Sequence, residues 1–232
     1  MNVVITGASR GIGKAIAEKF AAEGATLFLC SRNENLLNKT VANLGFAHPA
    51  IQIYSMAADL SLKEKAIEFG EWVLNQAIPD ILINNAGHFL PGNVSNEKEG
   101  NLECQIATNL SSAYHLTRTV LHKMKEKKKG QIFTICSIAS LQAYPNGGSY
   151  SISKFALEGF TKNLRQELLS FNIKVTAVYP GAVLTDSWGD FDNSHNRIML
   201  SSDIAMMIWS ASQLSPGACV EEIVMRPQQG DL

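Results

Sequence analysis

Asn2-Val3-Val4-Ile5-Thr6-Gly7-Ala8-Ser9-Arg10-Gly11-Ile12-Gly13 is the stretch from which the fold is read. An apolar run, Val3-Val4-Ile5, ends in a turn that holds three glycines. The chain then takes up a helical period. Ile12, Ile16 and Phe20 recur at intervals of four, one face of a helix over 12–23 that Gly24 closes. Strand, glycine turn and helix in that order let the backbone approach a pyrophosphate, and a helix N-terminus favours its charge. Gly7, Gly11 and Gly13 are spaced Gly-x-x-x-Gly-x-Gly, a departure from the Gly-x-Gly-x-x-Gly fingerprint. Alone, the turn also reads as a plain tight connection.

Outward from this turn, apolar strand-like runs alternate with helical segments. Strands are predicted at 26–30, 51–56, 80–84, 132–136, 175–178 and 220–225. Helices are predicted at 34–44, 101–128 and 149–170, and Ser61-Leu62-Lys63-Glu64 has capping-box form for a further helix through about Gln76. Continuous apolar strands separated by helices imply a parallel sheet covered on both faces. Right-handed crossovers then give a Rossmann-type doubly wound α/β sheet of about seven strands. The 232 residues are expected to form a single dinucleotide-binding and catalytic domain. Ligands of such sheets collect at the carboxyl ends of the strands. The glycine turn, Asn84-Asn85-Ala86-Gly87, Ser137 and Pro180-Gly181 all follow strand ends.

Composition narrows the class. Hydrophobic residues make up 46% and charged residues 18%, values of a folded enzyme rather than a disordered chain. A net charge of −1 gives no reason to expect nucleic acid as a partner. No run of 18 apolar residues suggests a membrane span, and a strand starting at Asn2 leaves no room for a signal peptide. Cys30, Cys104, Cys136 and Cys219 lack metal-ligand spacing, so no metal is expected. Cys30 and Cys136 lie in apolar runs and are expected to be buried free thiols, which suits a cytoplasmic location. The lysines at 123, 125, 127, 128 and 129 read as a solvated helix end.

Chemistry is written in a second pattern. Tyr150 and Lys154 are four residues apart and share a helix face, with Ser137 thirteen residues upstream. A free phenol has a pKa of about 10, and a neighbouring ammonium is expected to lower it. Ser137 can donate to a substrate oxygen. Tyr150 then acts as general acid or base while a nicotinamide exchanges hydride with a carbonyl or alcohol carbon. A carboxylate at the end of the second strand would select NAD(H) through the ribose hydroxyls. Here Cys30-Ser31-Arg32 stands instead, and Arg10 lies in the glycine turn. Two guanidinium groups suit a 2′-phosphate, so NADP(H) is favoured over NAD(H). Arg32 pairing with Glu34 or with solvent is the plainer reading of that residue.

On these residues the chain resembles the short-chain dehydrogenase/reductase family along nearly its whole length: residues 6–13, Asp59, residues 84–87, Asn109, Ser137, Tyr150, Lys154, and Pro180-Gly181 with Thr185. The resemblance implies a catalytic set of Asn109, Ser137, Tyr150 and Lys154, with Asn109 holding a water that relays protons to Lys154. It implies cofactor contacts from Gly7, Ser9, Arg10, Gly11, Ile12, Gly13, Arg32, Asp59, Leu60, Asn85, Ala86, Gly87, Tyr150 and Lys154. Pro180, Gly181, Val183 and Thr185 would flank the nicotinamide. Residues 182–200 would be a substrate-covering loop, and helices 101–128 and 149–170 would pair the chain into a homodimer or homotetramer. Read without the family, Asp59 is a cap or loop residue and Asn109 a helix-interior asparagine.

Trp188, Phe191, His88, Phe89, Tyr144 and Tyr179 are candidates for the substrate pocket, with packing at least as good an account of each. The stretch 180–183, Trp188 and the tail 221–232 resemble sepiapterin-reductase-like members, which would make Asp231 a partner for a guanidine-like pterin edge. A frayed terminal carboxylate is the plainer account of Asp231. The alternative to an enzyme is a catalytically silent NADP(H)-binding sensor on the same fold. The complete Ser137, Tyr150 and Lys154 set argues against it, since a sensor needs no acid.

Overall fold

The computed structural model describes residues 1–231. Seven parallel strands form one sheet: β1 (Asn2–Thr6), β2 (Thr26–Ser31), β3 (Ile53–Ala57), β4 (Ile81–Asn84), β5 (Gly130–Ile135), β6 (Ile173–Pro180) and β9 (Glu222–Met225). Their order across the sheet is β3-β2-β1-β4-β5-β6-β9. A second, two-stranded ladder pairs β7 (Val183–Leu184) with β8 (Met199–Leu200). The helices are α1 (Gly11–Ala22), α2 (Glu34–Ala47), α3 (Lys63–Leu74), α4 (Asn101–Gln105), α5 (Ser112–Lys127), α6 (Gly148–Leu168) and α7 (Ser201–Ser212).

Alternation along the strands divides the core in two. Val3, Ile5, Leu27, Leu29, Ile81 and Ile83 face a layer that includes Ile16 and Phe20 of α1 and Ile204 and Ile208 of α7. Val4, Phe28, Leu82 and Ile132 face the other way, onto Phe69 of α3, Leu116 and Val120 of α5 and Leu164 of α6. Every one of these side chains is buried, which is why the strands read as unbroken apolar runs. Chain order reverses between β1 and β4, and the crevice of a doubly wound sheet opens at that switch point.

Three local features differ from the sequence-based expectation. No capping box forms at Ser61. The N-cap of α3 is Leu62, and Asp59 Oδ1 takes both the Ser61 N–H (3.1 Å) and the Ser61 hydroxyl (2.7 Å). The helix expected at 101–128 contains a π-helical stretch, Ile106–Ser111, between α4 and α5. Ser112 Oγ donates back to Thr108 O (2.5 Å) at its end, a bond type that bends helices. The sequence reading leaves out α7 and the β7–β8 ladder. Cys30 and Cys136 are buried free thiols, as expected, and Cys104 and Cys219 are exposed. Lys123, Lys125 and Lys127 pair with Glu126, Glu167 and Asp80 at the solvated end of α5. Among the described residues no helix is long and apolar enough to cross a membrane.

Candidate functional site

The turn after β1 is built so that only glycine fits. Gly7 and Gly11 have φ of +64° and +54°, a region L side chains avoid. A Cβ on Gly13 would lie 2.3 Å from Gly7 O, and one on Gly7 would lie 2.8 Å from Asn85 Nδ2. The end of β4 is bolted to this turn. Thr6 Oγ1 accepts from the backbone of Asn85 and Ala86 (both 2.9 Å), and Asn85 Nδ2 donates to Thr6 O (2.8 Å) and Gly7 O (3.2 Å). Asn85 therefore spends its amide on the turn itself.

Helix α1 starts here with Arg10 as N-cap, with no side chain capping it and no acid in its first turn. Its N-terminal N–H groups thus present positive potential without a local carboxylate. A partly buried backbone cradle whose glycines admit close approach fits the pyrophosphate of a dinucleotide. Ser9 is buried and its hydroxyl meets that of Ser31 at 2.7 Å. Ile12 packs on the core.

No carboxylate stands at the end of β2. Arg32 Nη1 lies 3.8 Å from Asp59 Oδ2, a partner other than Glu34, and Arg10 Nη1 lies 3.8 Å from Asp186 Oδ2. Both guanidinium groups are largely exposed. Burial, then the charges of Arg32 and Arg10, hold the His88 imidazole below its ordinary pKa. Leu60 is buried beside Asp59.

Ser137, Tyr150 and Lys154 come together at the ends of β5 and α6. The Ser137 side chain lies beside the phenol of Tyr150 and favours its ionised form. Ser137 Oγ also accepts from Ala139 N (3.1 Å), which fixes its rotamer. Lys154 is buried and donates to Ile135 O at 2.8 Å, with its Nζ 5.8 Å from the Tyr150 ring centroid. Burial lowers the Lys154 pKa to about 8. The expected depression of the phenol is not found. Burial raises the Tyr150 pKa, and the nearby Ser137 hydroxyl opposes that rise only in part. The ammonium is turned to a carbonyl rather than to the phenolate position.

Asn109 lies in the π-helical stretch and is buried. Its Oδ1 accepts from His88 N (2.6 Å), and its Nδ2 donates to His88 O (3.0 Å) and Ser153 Oγ (2.8 Å). A Cβ on Gly87 would lie 3.4 Å from Asn109 Oδ1 and 3.7 Å from Lys154 Nζ. Residues 85–87 therefore link the glycine turn to Lys154.

Phe89 meets the Tyr150 ring edge-on at 4.9 Å between centroids. Burial and then the nearby Tyr150 push the Tyr144 phenol up to about 12. Tyr179 departs from the pocket expectation. It is wholly buried on β6, with its hydroxyl 3.4 Å from Glu158 Oε1. Pro180 ends β6, and Gly181 N donates to Met225 O (2.8 Å). Val183 is buried, and Thr185 Cγ2 would lie 3.2 Å from a Cβ on Gly11. Trp188 and Phe191 pair at 5.2 Å. Asp231 is engaged rather than frayed: its carboxylate pairs with Arg226, and its carbonyl accepts from Arg197 Nη2 (3.0 Å). No contact brings Asp231 to Tyr150 among the described residues. Buried Gln105 and Ser149 and half-buried Glu97 form a network beside Tyr150 that no spacing in the sequence marks.

Comparison with known proteins agrees with this architecture. A family model described as short chain dehydrogenase matches residues 1–196. A sepiapterin reductase from Chlorobaculum tepidum is 31% identical, across 99% of this chain and 97% of its own. A metagenomic short-chain oxidoreductase in complex with NADP superposes with a TM-score of 0.85 at 30% identity, covering 98% of this chain and 97% of that one. An alcohol dehydrogenase from the archaeon Thermococcus sibiricus, complexed with 5-hydroxy-NADP, superposes with a TM-score of 0.90 at 26% identity, covering 98% and 96%.

Proposed function

The chain belongs to the short-chain dehydrogenase family, and we propose that it is an NADP(H)-dependent oxidoreductase that reduces a carbonyl with Tyr150 as the proton donor. The observation that carries this reading is the buried ammonium of Lys154 on the same helix face as Tyr150, its Nζ 5.8 Å from the phenol ring centroid, with Ser137 beside that phenol. NADP(H), when bound, supplies or accepts the hydride.

The chain's own residues do the rest. Gly7, Gly11, Gly13 and the start of α1 hold the pyrophosphate through backbone N–H groups. Arg10 and Arg32 hold the 2′-phosphate, for which each gives up a long, exposed ion pair worth little in water. That the complexed relatives carry NADP or 5-hydroxy-NADP supports the same preference here. Asp59, Leu60 and residues 85–87 flank the adenosine half. Pro180, Gly181, Val183 and Thr185 flank the nicotinamide half.

Ser137 donates a hydrogen bond to the carbonyl oxygen, and Tyr150 gives that oxygen its proton. A phenol carries its proton at neutral pH even at its ordinary pKa of about 10, and burial raises that of Tyr150 further, so the proton to be donated is in place. Lys154 supplies the positive charge that steadies the phenolate left behind, and Asn109 holds the relay that returns the proton. Lys154 must leave Ile135 O, or share its protons, to do so.

The substrate is a ketone or diketone, and the sepiapterin reductase relative supports a keto side chain on a pterin as one member of the class. Trp188, Phe191 and Tyr144 form its apolar wall, within a loop over 182–200 that covers the site of a single catalytic domain. Exposed Tyr114, Ile152 and Phe155 on α5 and α6 support pairing of two copies through these helices.

An NADPH-oxidation screen over sepiapterin, small diketones and simple ketones tests the reading, with NADH in parallel. Turnover with NADPH on at least one class is expected. NADPH binding without consumption anywhere in the panel would favour the sensor.

A further inference from the structure

The helix that carries Tyr150 and Lys154 lacks a cap of its own. Its N-cap is Gly147, which has no side chain to offer the first turn. Ser149, at the second position of α6, finds its acceptor 52 residues away. Glu97 Oε2 takes the Ser149 hydroxyl at 2.6 Å and the Ser149 N–H at 3.3 Å.

The Ser149 hydroxyl oxygen in turn accepts from Gln105 Nε2 at 2.7 Å. Gln105 is wholly buried and holds the chain before it at both ends of one residue, through Leu90 N to Oε1 (3.1 Å) and Nε2 to Leu90 O (3.3 Å). Two further bonds tie the same segment to the turn before α6: Gly92 N to Asn146 O at 3.0 Å and Asn146 N to Asn93 Oδ1 at 3.1 Å. Close approach is possible because residue 148 has no side chain. A Cβ there would lie 2.4 Å from Gly92 O.

From these contacts we propose that Glu97 is a positioning residue: it caps α6 from the β4–α4 segment and so fixes where the next residue, Tyr150, presents its phenol. The same segment delivers Phe89 onto the Tyr150 ring at 4.9 Å. The phenol is therefore held from its backbone side by Glu97 and from its ring edge by Phe89. A carboxylate is the best group for this place, because it accepts two bonds at once and complements the helix N-terminus. The proposal rests on Tyr150 acting as the proton donor.

Glu97→Ala tests it with two readouts. Amide exchange over residues 149–152 should accelerate in the ligand-free protein, while the amides of β1 and α1 stay protected. The kcat for NADPH-dependent carbonyl reduction should fall about tenfold, because small displacements of an acting group are costly, with KM for NADPH unchanged. Glu97→Gln keeps an acceptor oxygen and should recover most of kcat. A wild-type kcat with wild-type exchange at 149–152 in Glu97→Ala would overturn the proposal. Equal loss of protection in β1 and α1, with a raised KM for NADPH, would also overturn it by showing general destabilisation. If Glu97→Ala does not fold, Ser149→Ala removes the hydroxyl bond alone and is read by the same criteria. Tyr150→Phe is assayed beside them. If it keeps full turnover, the proton-donor reading fails, while the exchange at 149–152 still decides whether Glu97 caps α6.

Discussion

The glycine turn and the segment from Thr185 to Ile198 touch at Gly11, yet they are held by different physics. The turn is fixed by sterics: a Cβ at Gly13 would lie 2.3 Å from the backbone oxygen of Gly7, and one at Gly7 would lie 2.8 Å from the Asn85 side chain. It is also tied to β4 through four hydrogen bonds of 2.8 to 3.2 Å. The Thr185–Ile198 segment is pinned at its base by a ladder of two residue pairs. Farther out it is held by Asn193 against Ile198 and by an exposed Arg10–Asp186 pair at 3.8 Å. One region is a rigid seat suited to a ligand of constant shape. The other tolerates change, which is how one fold serves many substrates.

The sharpest way to break this comparison is at the seat. Gly13→Ala should abolish NADPH binding in a fluorescence titration and cost about 1–3 kcal/mol of stability by overpacking. Near-normal binding would show that the turn yields, and the contrast with the loop would disappear. Arg32→Ala should leave the seat intact and reduce the preference for NADPH over NADH by about ten- to a hundredfold, the worth of a charged hydrogen bond. An unchanged ratio would remove the 2′-phosphate from Arg32.

A pH profile gives a smaller effect. A phenol keeps its proton well past neutrality, and burial raises the Tyr150 pKa further, whereas burial lowers that of Lys154 to about 8. The kcat for reduction should therefore be flat below about pH 8 and decline above it. A decline that begins below neutrality would mean that another group titrates. Trp188→Ala addresses the loop. It should change the unfolding free energy by less than about 1 kcal/mol and change KM for the carbonyl substrate while leaving KM for NADPH alone. Equal changes in both constants would mean that loop and seat are not separable.

What the sequence makes legible follows the same divide. The β1–α1 turn and the Tyr150–Lys154 pair are local patterns, and backbone geometry alone brings their members together. The strands were readable because both faces of the sheet are buried. Partners chosen across the fold were not. Asp59 takes Ser61 away from its helix and also faces Arg32. Lys154 turns to Ile135 O, a choice settled by how α6 packs on β5. Asp231 is reached by Arg197 from 34 residues away, and Tyr179 meets Glu158 of α6 across 21 residues. The capping of α6 by Glu97 spans 52 residues and has no local signature.

On the proposed mechanism the seat binds the dinucleotide while Tyr150 separately donates the proton. Tyr150→Phe removes one oxygen atom and tests both halves at once. NADPH affinity measured by titration should stay within about twofold, while single-turnover carbonyl reduction should slow by about 10²–10⁴. Reduction at the wild-type rate in that variant would contradict the account.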